Sequence, residues 1–541
     1  MANIFNNYFT NVGLSLNNAV PPEVLKLPFE TFLGPANPNS FFCSPIILTE
    51  ILDIIAKLKP SKSVVSDCFS SSLIKICCTQ IVNPLHYIFN LSFQTGIFPD
   101  YLKLSRVTPI FKKGSHADVS NYRPISITNP ISKILERLMF NRMVSFVERF
   151  QILYDFQFGF RKHYSTSIAV LDLVNMIQKE NFEGNYVLGI FLDFQKAFDT
   201  IDLEILLKKI GHYGFRGCCL NWFRSYLINR SQFTSINSCN SSTNTINCGI
   251  PQGTVLGPLL FLLYINDLPN SVKNSQAKLF ADDSNLFVVN NNIKQLYESA
   301  NCELSSLFHW VSSNKLHINY DKTTYILFDR VKKGPVIDVN DISPLPLLTI
   351  NKRQINREHC IKYLGVFIDD KLEWTEQINH VSKKFLPLLE YYTGIIVLYR
   401  QSVKNIYFAL IHSVLTYCVE AYENVSKSKL GPLFVKCNRL LRLLQSKPRR
   451  TPLRVLYSTY DIVPLHHLFE FHILKFIHKC LYNTTSTPVI IQNWFQRGFE
   501  LHNHNTRHKA NFILDSTLNP KSLTFLGPTL WSKLPLTLQS N

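Results

Sequence analysis

Two adjacent carboxylates most constrain what this chain can fold into. Asp282 and Asp283 stand between two apolar runs, Ala277–Phe280 and Leu286–Val289. Short runs bounded in this way predict two strands with the acids at the turn between them. Two like charges held at a tight turn repel, so a compact pair asks for a counter-cation. Hard oxygen ligands suit Mg²⁺ or Mn²⁺. A lone Asp-Asp pair is ordinarily a solvated turn. It gains meaning beside a third carboxylate at the end of another buried strand, and Asp193 is that residue. It ends Tyr186–Leu192, an almost continuous apolar run of the kind a strand covered on both faces shows. The following Phe194–Asp199 predicts the opening of a helix.

Between the two acidic stretches lies Gly249-Ile250-Pro251-Gln252-Gly253, a Gly/Pro-controlled turn ahead of a predicted helix over Leu259–Leu268. The order Phe191-Leu192-Asp193-Phe194-Gln195-Lys196-Ala197-Phe198-Asp199, then this turn, then Phe280-Ala281-Asp282-Asp283, resembles the palm of reverse transcriptases. The chain is similar to those of LINE-type (non-LTR, jockey-like) retrotransposons. The resemblance implies an α+β fold built as a right-hand polymerase: fingers, a palm with an antiparallel sheet, and a helical thumb. It implies an N-terminal helical extension over 1–93, a reverse transcriptase domain of fingers and palm over 94–369, a helical thumb over 370–480 and a basic tail over 481–541.

The implied activity is RNA-directed DNA polymerisation, adding dNTPs to a primer 3′-hydroxyl on an RNA template. Asp193, Asp282 and Asp283 are then the catalytic acids that hold two Mg²⁺ (or Mn²⁺) ions. Lys322 falls where such polymerases place a basic residue near the pyrophosphate; the alternative is a solvated lysine before a strand. Phe198 is the implied steric gate against a ribose 2′-hydroxyl, and Gln252 and Gly253 lie under nucleotide and template. Asp199 and Asp202 follow the predicted helix start and read as capping or helix-dipole residues. Tyr363–Asp369 resembles the primer-grip strand. Full-length elements of this kind carry an endonuclease ahead of the polymerase, and no endonuclease domain is expected in this chain. The rival readings are an RNA-dependent RNA polymerase or intron maturase, and a decayed or domesticated copy that only binds nucleic acid. Phe198 speaks against the first, and the intact acids with Gln252-Gly253 against the second.

The flanking stretches fill in the frame. Phe5, Tyr8 and Phe9 recur at helical spacing near the N-terminus, as do Leu48, Ile51, Leu52, Ile55 and Leu58. Leu73–Phe93 predicts a second long helix. In the polar stretch between, Ser66 stands before Asp67 where the family often has glycine. Arg106–Gly114 predicts a strand ending in Lys112, Lys113 and a glycine turn, with Asn121–Ser126 just beyond. The resemblance makes these the fingers, with Lys112, Lys113 and Arg123 as triphosphate ligands. Arginine suits this as a fork and lysine as a point charge; on spacing alone the tip could equally be solvated. Helices are expected over Ile131–Phe150, over Ile168–Gln178 behind a Ser165-Thr166 cap, over Asp202–Tyr213, Leu220–Leu227 and Ile293–Trp310. Phe158–His163 resembles the family's next element, which implies a backbone-contacting turn, and Ser231–Cys248 reads as a hairpin.

Charge and cysteine usage bound the partners. Net charge is +18, and residues 371–541 carry 21 Lys and Arg against 9 Asp and Glu. Most of the excess therefore lies beyond the predicted catalytic part, as expected of a region that grips nucleic acid with salt-dependent affinity. The 13 cysteines are an odd number without any Cys-x-x-Cys spacing. Reduced thiols in an intracellular protein, nuclear or cytoplasmic, are expected rather than a disulfide framework or zinc ribbon. His502, His504 and His508 lie close together without a nearby cysteine, so a metal site is not expected there. No apolar run approaches the ~18 residues of a membrane span.

Overall fold

The structure, a computed structural model, describes residues 1–18, 27–60, 65, 69–329, 346–385, 387, 400–422, 425–483, 487–492, 494–495, 512, 519–520 and 522–539. Ser66-Asp67 and the His502–His508 group lie outside these residues.

Four helices open the chain: α1 (Ala2–Asn18), α2 (Leu48–Lys57), α3 (Ser71–Ile76) and α4 (Cys78–Thr95). The expected single helix over Leu73–Phe93 is thus two, because the Cys77 backbone leaves the helical region (ψ 15°) between α3 and α4. A first sheet follows. β1 (Leu104–Phe111) pairs antiparallel with β2 (Tyr122–Thr128) and parallel with β4 (Arg230–Ile236). β5 (Cys239–Asn240) and β6 (Asn244–Ile246) fold back on β4, the expected hairpin. Helices α5 (Pro130–Arg149) and α6 (Thr166–Glu183) lie between β2 and β3 (Tyr186–Leu192). Ser165 Oγ accepts from Ile168 N at 3.3 Å at the start of α6, and Gly184 in the left-handed region (φ +94°) ends it.

β3 is the centre of a second sheet, ordered β12-β9-β3-β8-β7. Its neighbours β8 (Asp283–Asn290) and β9 (Thr324–Phe328) both run antiparallel to it. β7 (Ser275–Phe280) forms a hairpin with β8, and β12 (Asn356–Arg357) adds parallel to β9. Alternation along β3 explains its continuous apolar sequence. Leu188, Ile190 and Leu192 join one core, with α5, α7 (Leu203–His212), α8 (Cys218–Leu227), α9 (Gly257–Ile265) and α10 (Ile293–Ser313). Val187 faces a second core with α6, Phe287, Ile326 and the C-terminal helices. Both faces are covered, so neither can be polar.

Two expectations shift. Phe194–Asp199 forms turns rather than helix, because Lys196 adopts a positive φ of 49°; α7 begins only at Leu203. Tyr363–Asp369 is a hairpin, β13 (Cys360–Tyr363) and β14 (Val366–Asp369), reversing at Leu364 and Gly365, both at positive φ. A smaller hairpin, β10 (Thr349–Ile350) with β11 (Arg353–Gln354), precedes it. Beyond residue 370 the described structure is helical, including Thr375–Lys384, Lys427–Leu444, Leu453–Tyr460 and Leu465–Tyr482. Among the described residues no helix is long and apolar enough to cross a membrane.

Candidate active site

The acids meet at one end of the second sheet. Phe280 pairs with Asp283 across the β7–β8 hairpin, so Ala281 and Asp282 form the turn. In the β3–β8 ladder Leu192 pairs with Ser284. One step further along this register sets Asp193 beside Asp283. The Asp193 backbone is fixed from the other side, its carbonyl accepting from Asn319 N at 2.8 Å and its N donating to Thr323 Oγ1 at 3.3 Å. Asp282 and Asp283 are exposed, and Asp283 lines a cavity. The Asp283 carboxyl is pushed up to about 6, first by burial, then by the charges of Asp282 and Asp193. Asp282 is raised by burial and by the charge of Asp193, with a backbone hydrogen bond, Arg123 and Lys112 pulling the other way.

Cations face these acids. Lys322 Nζ donates to Asp193 Oδ2 at 3.3 Å. Lys112, at the end of β1, has its ammonium lowered by burial and by the charges of Arg123 and Lys322, while Asp193 opposes the shift. Lys112, Arg123 and Lys322 therefore share one space with the three acids. Lys113 is exposed at the hairpin tip. A cavity of about 350 Å³ opens beside Asp193, Asp283 and Lys322, with Glu358, Lys362 and Tyr363 on its far wall.

The Gly249–Gly253 turn builds the other side. Gly249 N donates to Ile201 O and Ile250 N to Phe198 O, each at 2.9 Å, so the turn lies along the stretch after Asp193. Ser126 N on β2 donates to Gln252 O at 2.7 Å. Gly253 has φ +109°, and a Cβ there would lie 2.6 Å from Ser126 O. Glycine is required at this point by the β2 backbone. Phe198 stacks on Phe261 of α9, with ring centroids 4.5 Å apart and planes 19° from parallel. Its ring is half-buried, packed on one face against the core. Asp202 caps α7, Oδ1 accepting from Glu204 N and Ile205 N at 3.0 Å. Asp199 is not a cap. With no helix starting beside it, its Oδ1 accepts from Gln252 Nε2 at 3.0 Å, and burial raises its carboxyl to about 6.

Two buried residues that hold the site were not visible in the sequence. Gln157 Oε1 accepts from Ala281 N at 3.1 Å and from Gly159 N at 2.9 Å. Phe158 N donates to Leu279 O at 2.8 Å. Gln157 and Phe158 are thus bonded to the backbone of the acidic hairpin. Glu136, fully buried on α5, accepts at Oε2 from Val255 N (2.8 Å), Leu256 N (3.4 Å) and Tyr226 Oη (3.2 Å), and at Oε1 from Ser132 Oγ (2.9 Å). It fixes the exit of the Gly249–Gly253 turn. The only signal was a single Glu on the apolar side of a predicted helix.

The donor set fits hard divalent cations: three carboxylates, all oxygen, two of them raised first by burial and then by neighbouring negative charge. Among the described residues no three such side chains are drawn into one cage. Like charges spread apart, and Asp193 takes Lys322 as its partner.

A mixed sheet with this order of acids and this turn defines a class, and residues 110–368 match the family model described as "Reverse transcriptase (RNA-dependent DNA polymerase)". That stretch is a reverse transcriptase domain. Within the class, the chain is similar to the RNA-directed DNA polymerase from mobile element jockey of Drosophila melanogaster: 27% identity across 79% of this chain and 47% of the relative. It is also similar to two probable RNA-directed DNA polymerases of the same fly. The one from transposon BS is 25% identical, over 75% of this chain and 45% of the relative. The one from transposon X-element is 26% identical, over 62% and 37%. The chain spans about half the length, or less, of these curated relatives.

Proposed function

We propose that this chain is an RNA-directed DNA polymerase of a LINE-type retrotransposon, extending a primer 3′-hydroxyl with dNTPs along an RNA template. The observation that carries this reading is Asp193 beside the Asp282–Asp283 turn, inside the stretch matching the reverse transcriptase family. In this reading β1 and β2 belong to the fingers and the second sheet is the palm, together within 94–369. The helices of 370–480 are the thumb, 1–93 an N-terminal extension and 481–541 a basic tail.

Two divalent cations, Mg²⁺ or Mn²⁺, held by Asp193, Asp282 and Asp283, would when bound activate the primer hydroxyl and offset charge developing at the α-phosphate. The remaining demand is positioning and electrostatics, which is what phosphoryl transfer asks of a protein. Lys112 and Arg123 receive the triphosphate, with Lys113 reaching from the tip. Lys322 exchanges Asp193 for the departing pyrophosphate. Phe198 limits the room beside the sugar, and Gln252 and Gly253 form the floor under nucleotide and template. The excess positive charge beyond residue 370 attracts the template and primer backbones.

Primer extension tests the reading. Purified protein is given poly(rA)·oligo(dT), dTTP and Mg²⁺, beside the Asp282→Ala/Asp283→Ala double variant. Extension by the wild type alone is the expected result. No extension by either, with RNA binding intact and Mn²⁺ also tried, would reduce the chain to a nucleic-acid-binding copy.

A further inference from the structure

Helix α1 lies outside the family-matched stretch, yet its C-terminal half ends against the floor of the site. Its first half is pinned to the first sheet by Asn6, which is fully buried. Asn6 Nδ2 donates to Ser242 O at 2.9 Å, and Oδ1 accepts from Gln232 Nε2 at 3.2 Å and Thr234 Oγ1 at 3.3 Å. Its second half carries Gly13 in mid-helix, where glycine is disfavoured unless something needs the space. A Cβ at Gly13 would run into the Asp199 carbonyl oxygen. Gly249 approaches the same oxygen from another segment, where a Cβ would lie 2.7 Å away. The Asp199 peptide is therefore gripped between two glycines. One turn further, Asn17 Nδ2 donates to Thr200 O at 3.2 Å and to Cys248 Sγ at 3.3 Å, binding both sides of the grip.

What the grip holds is the Asp199 side chain against Gln252. A carboxylate only accepts, so the amide nitrogen of Gln252 must face Asp199 and the amide oxygen is left as the other end. The Gln252 backbone is already tied to β2 through Ser126. With backbone and side chain both fixed, Gln252 has one orientation of its carboxamide rather than two.

We propose that α1 is a wall of the nucleotide pocket: it fixes the Asp199 peptide, and Asp199 is the positioning residue that sets which end of the Gln252 carboxamide meets the nucleotide. This rests on the polymerase reading above.

The test uses the full chain and single dTTP incorporation on a primer–template, with KM and kcat measured separately and thermal melting as the check of folding. Asp199→Leu is expected to raise KM for dTTP about tenfold, the factor carried by one charge-assisted hydrogen bond, with kcat held within about twofold. Asp199→Asn is expected to fall between the wild type and Asp199→Leu, because its neutral amide can accept from the Gln252 nitrogen or donate to the Gln252 oxygen and no longer admits one orientation alone. Gly13→Leu raises KM in the same direction, and adding it to Asp199→Leu changes little more, since both act through one amide. Should Gly13→Leu melt early, Asn17→Ala removes the two bonds without added volume and is expected to raise KM as well. Folded Asp199→Leu with wild-type KM, or Asp199→Asn with a KM above that of Asp199→Leu, overturns the inference while the polymerase reading stands. A wild type that extends no primer overturns both.

Discussion

Replacing Glu136 by alanine removes one side chain and strands four donors. The carboxylate is fully buried and accepts from Val255 N, Leu256 N, Tyr226 Oη and Ser132 Oγ at 2.8–3.4 Å. The hydroxyls of Ser132 and Tyr226 can rotate toward other acceptors; the two backbone N–H groups at the start of α9 cannot. Each buried, unpaired donor costs about 1–3 kcal/mol. Removing the buried charge itself returns part of its desolvation cost. The net loss is then about 3 kcal/mol. A chain of this length unfolds with an entropy of roughly 1.1 kcal/mol per degree, so the apparent melting midpoint should fall by about 3 °C. Because the stranded groups belong to the exit of the Gly249–Gly253 turn, KM for dNTP should rise as well. Glu136→Gln keeps one acceptor oxygen but turns an amide N–H toward the remaining donors, so it should fall between the two. Scanning fluorimetry and single-nucleotide incorporation read the two effects. Alanine at 136 with an unchanged midpoint and unchanged KM would refute the claim that this carboxylate holds the turn.

Three further outcomes are expected. The Asp283 carboxyl is raised above its unfolded value, to about 6, so its contribution to stability is present at low pH and lost as pH rises through 6. In metal-free buffer Asp283→Asn should therefore raise the melting midpoint at pH 7.5, and the upward shift produced by MgCl₂ in the wild type should shrink in the variant; an equal shift in both disproves the site. Gly253→Ala forces a side chain into the left-handed region and onto Ser126 O, at about 2–4 kcal/mol for strain plus the loosened Ser126–Gln252 bond; wild-type kcat/KM in this variant would count against the close approach. Phe198→Ala opens space beside Phe261 and should admit ribonucleotides; unchanged discrimination between dTTP and UTP would remove the gate from Phe198.

The acidic hairpin was legible because two independent signals coincide there, apolar runs that must be strands and a charge pair that cannot be core. The bounds of β3 were equally plain, since a strand buried on both faces leaves no polar residue inside it. The stretch after Asp193 was not legible. Its helical pattern is real, but Lys196 at positive φ stops a helix, and nothing in the side chains announces that backbone choice. For the same reason Asp199 read as a cap and proves to be a partner of Gln252. Gln157 and Glu136 escaped notice because their roles are hydrogen bonds to backbone over 100 residues away in sequence, and such bonds leave no periodicity. The Tyr363–Asp369 hairpin was hidden in a short apolar run whose reversal depends on Leu364 and Gly365.

The order of the second sheet has a consequence for how the protein comes into being. β3 acquires its flanking strands late: β8 begins at Asp283, and β9 only at Thr324, with Asp193 N and Thr323 Oγ1 130 positions apart. During synthesis this wholly apolar strand therefore waits with both edges unpaired, then with one, until residue 328 has emerged. Pairings so distant in sequence form slowly, and bare edges invite other chains. A fragment ending before Thr324 would contain all three acids and still leave one edge of β3 bare.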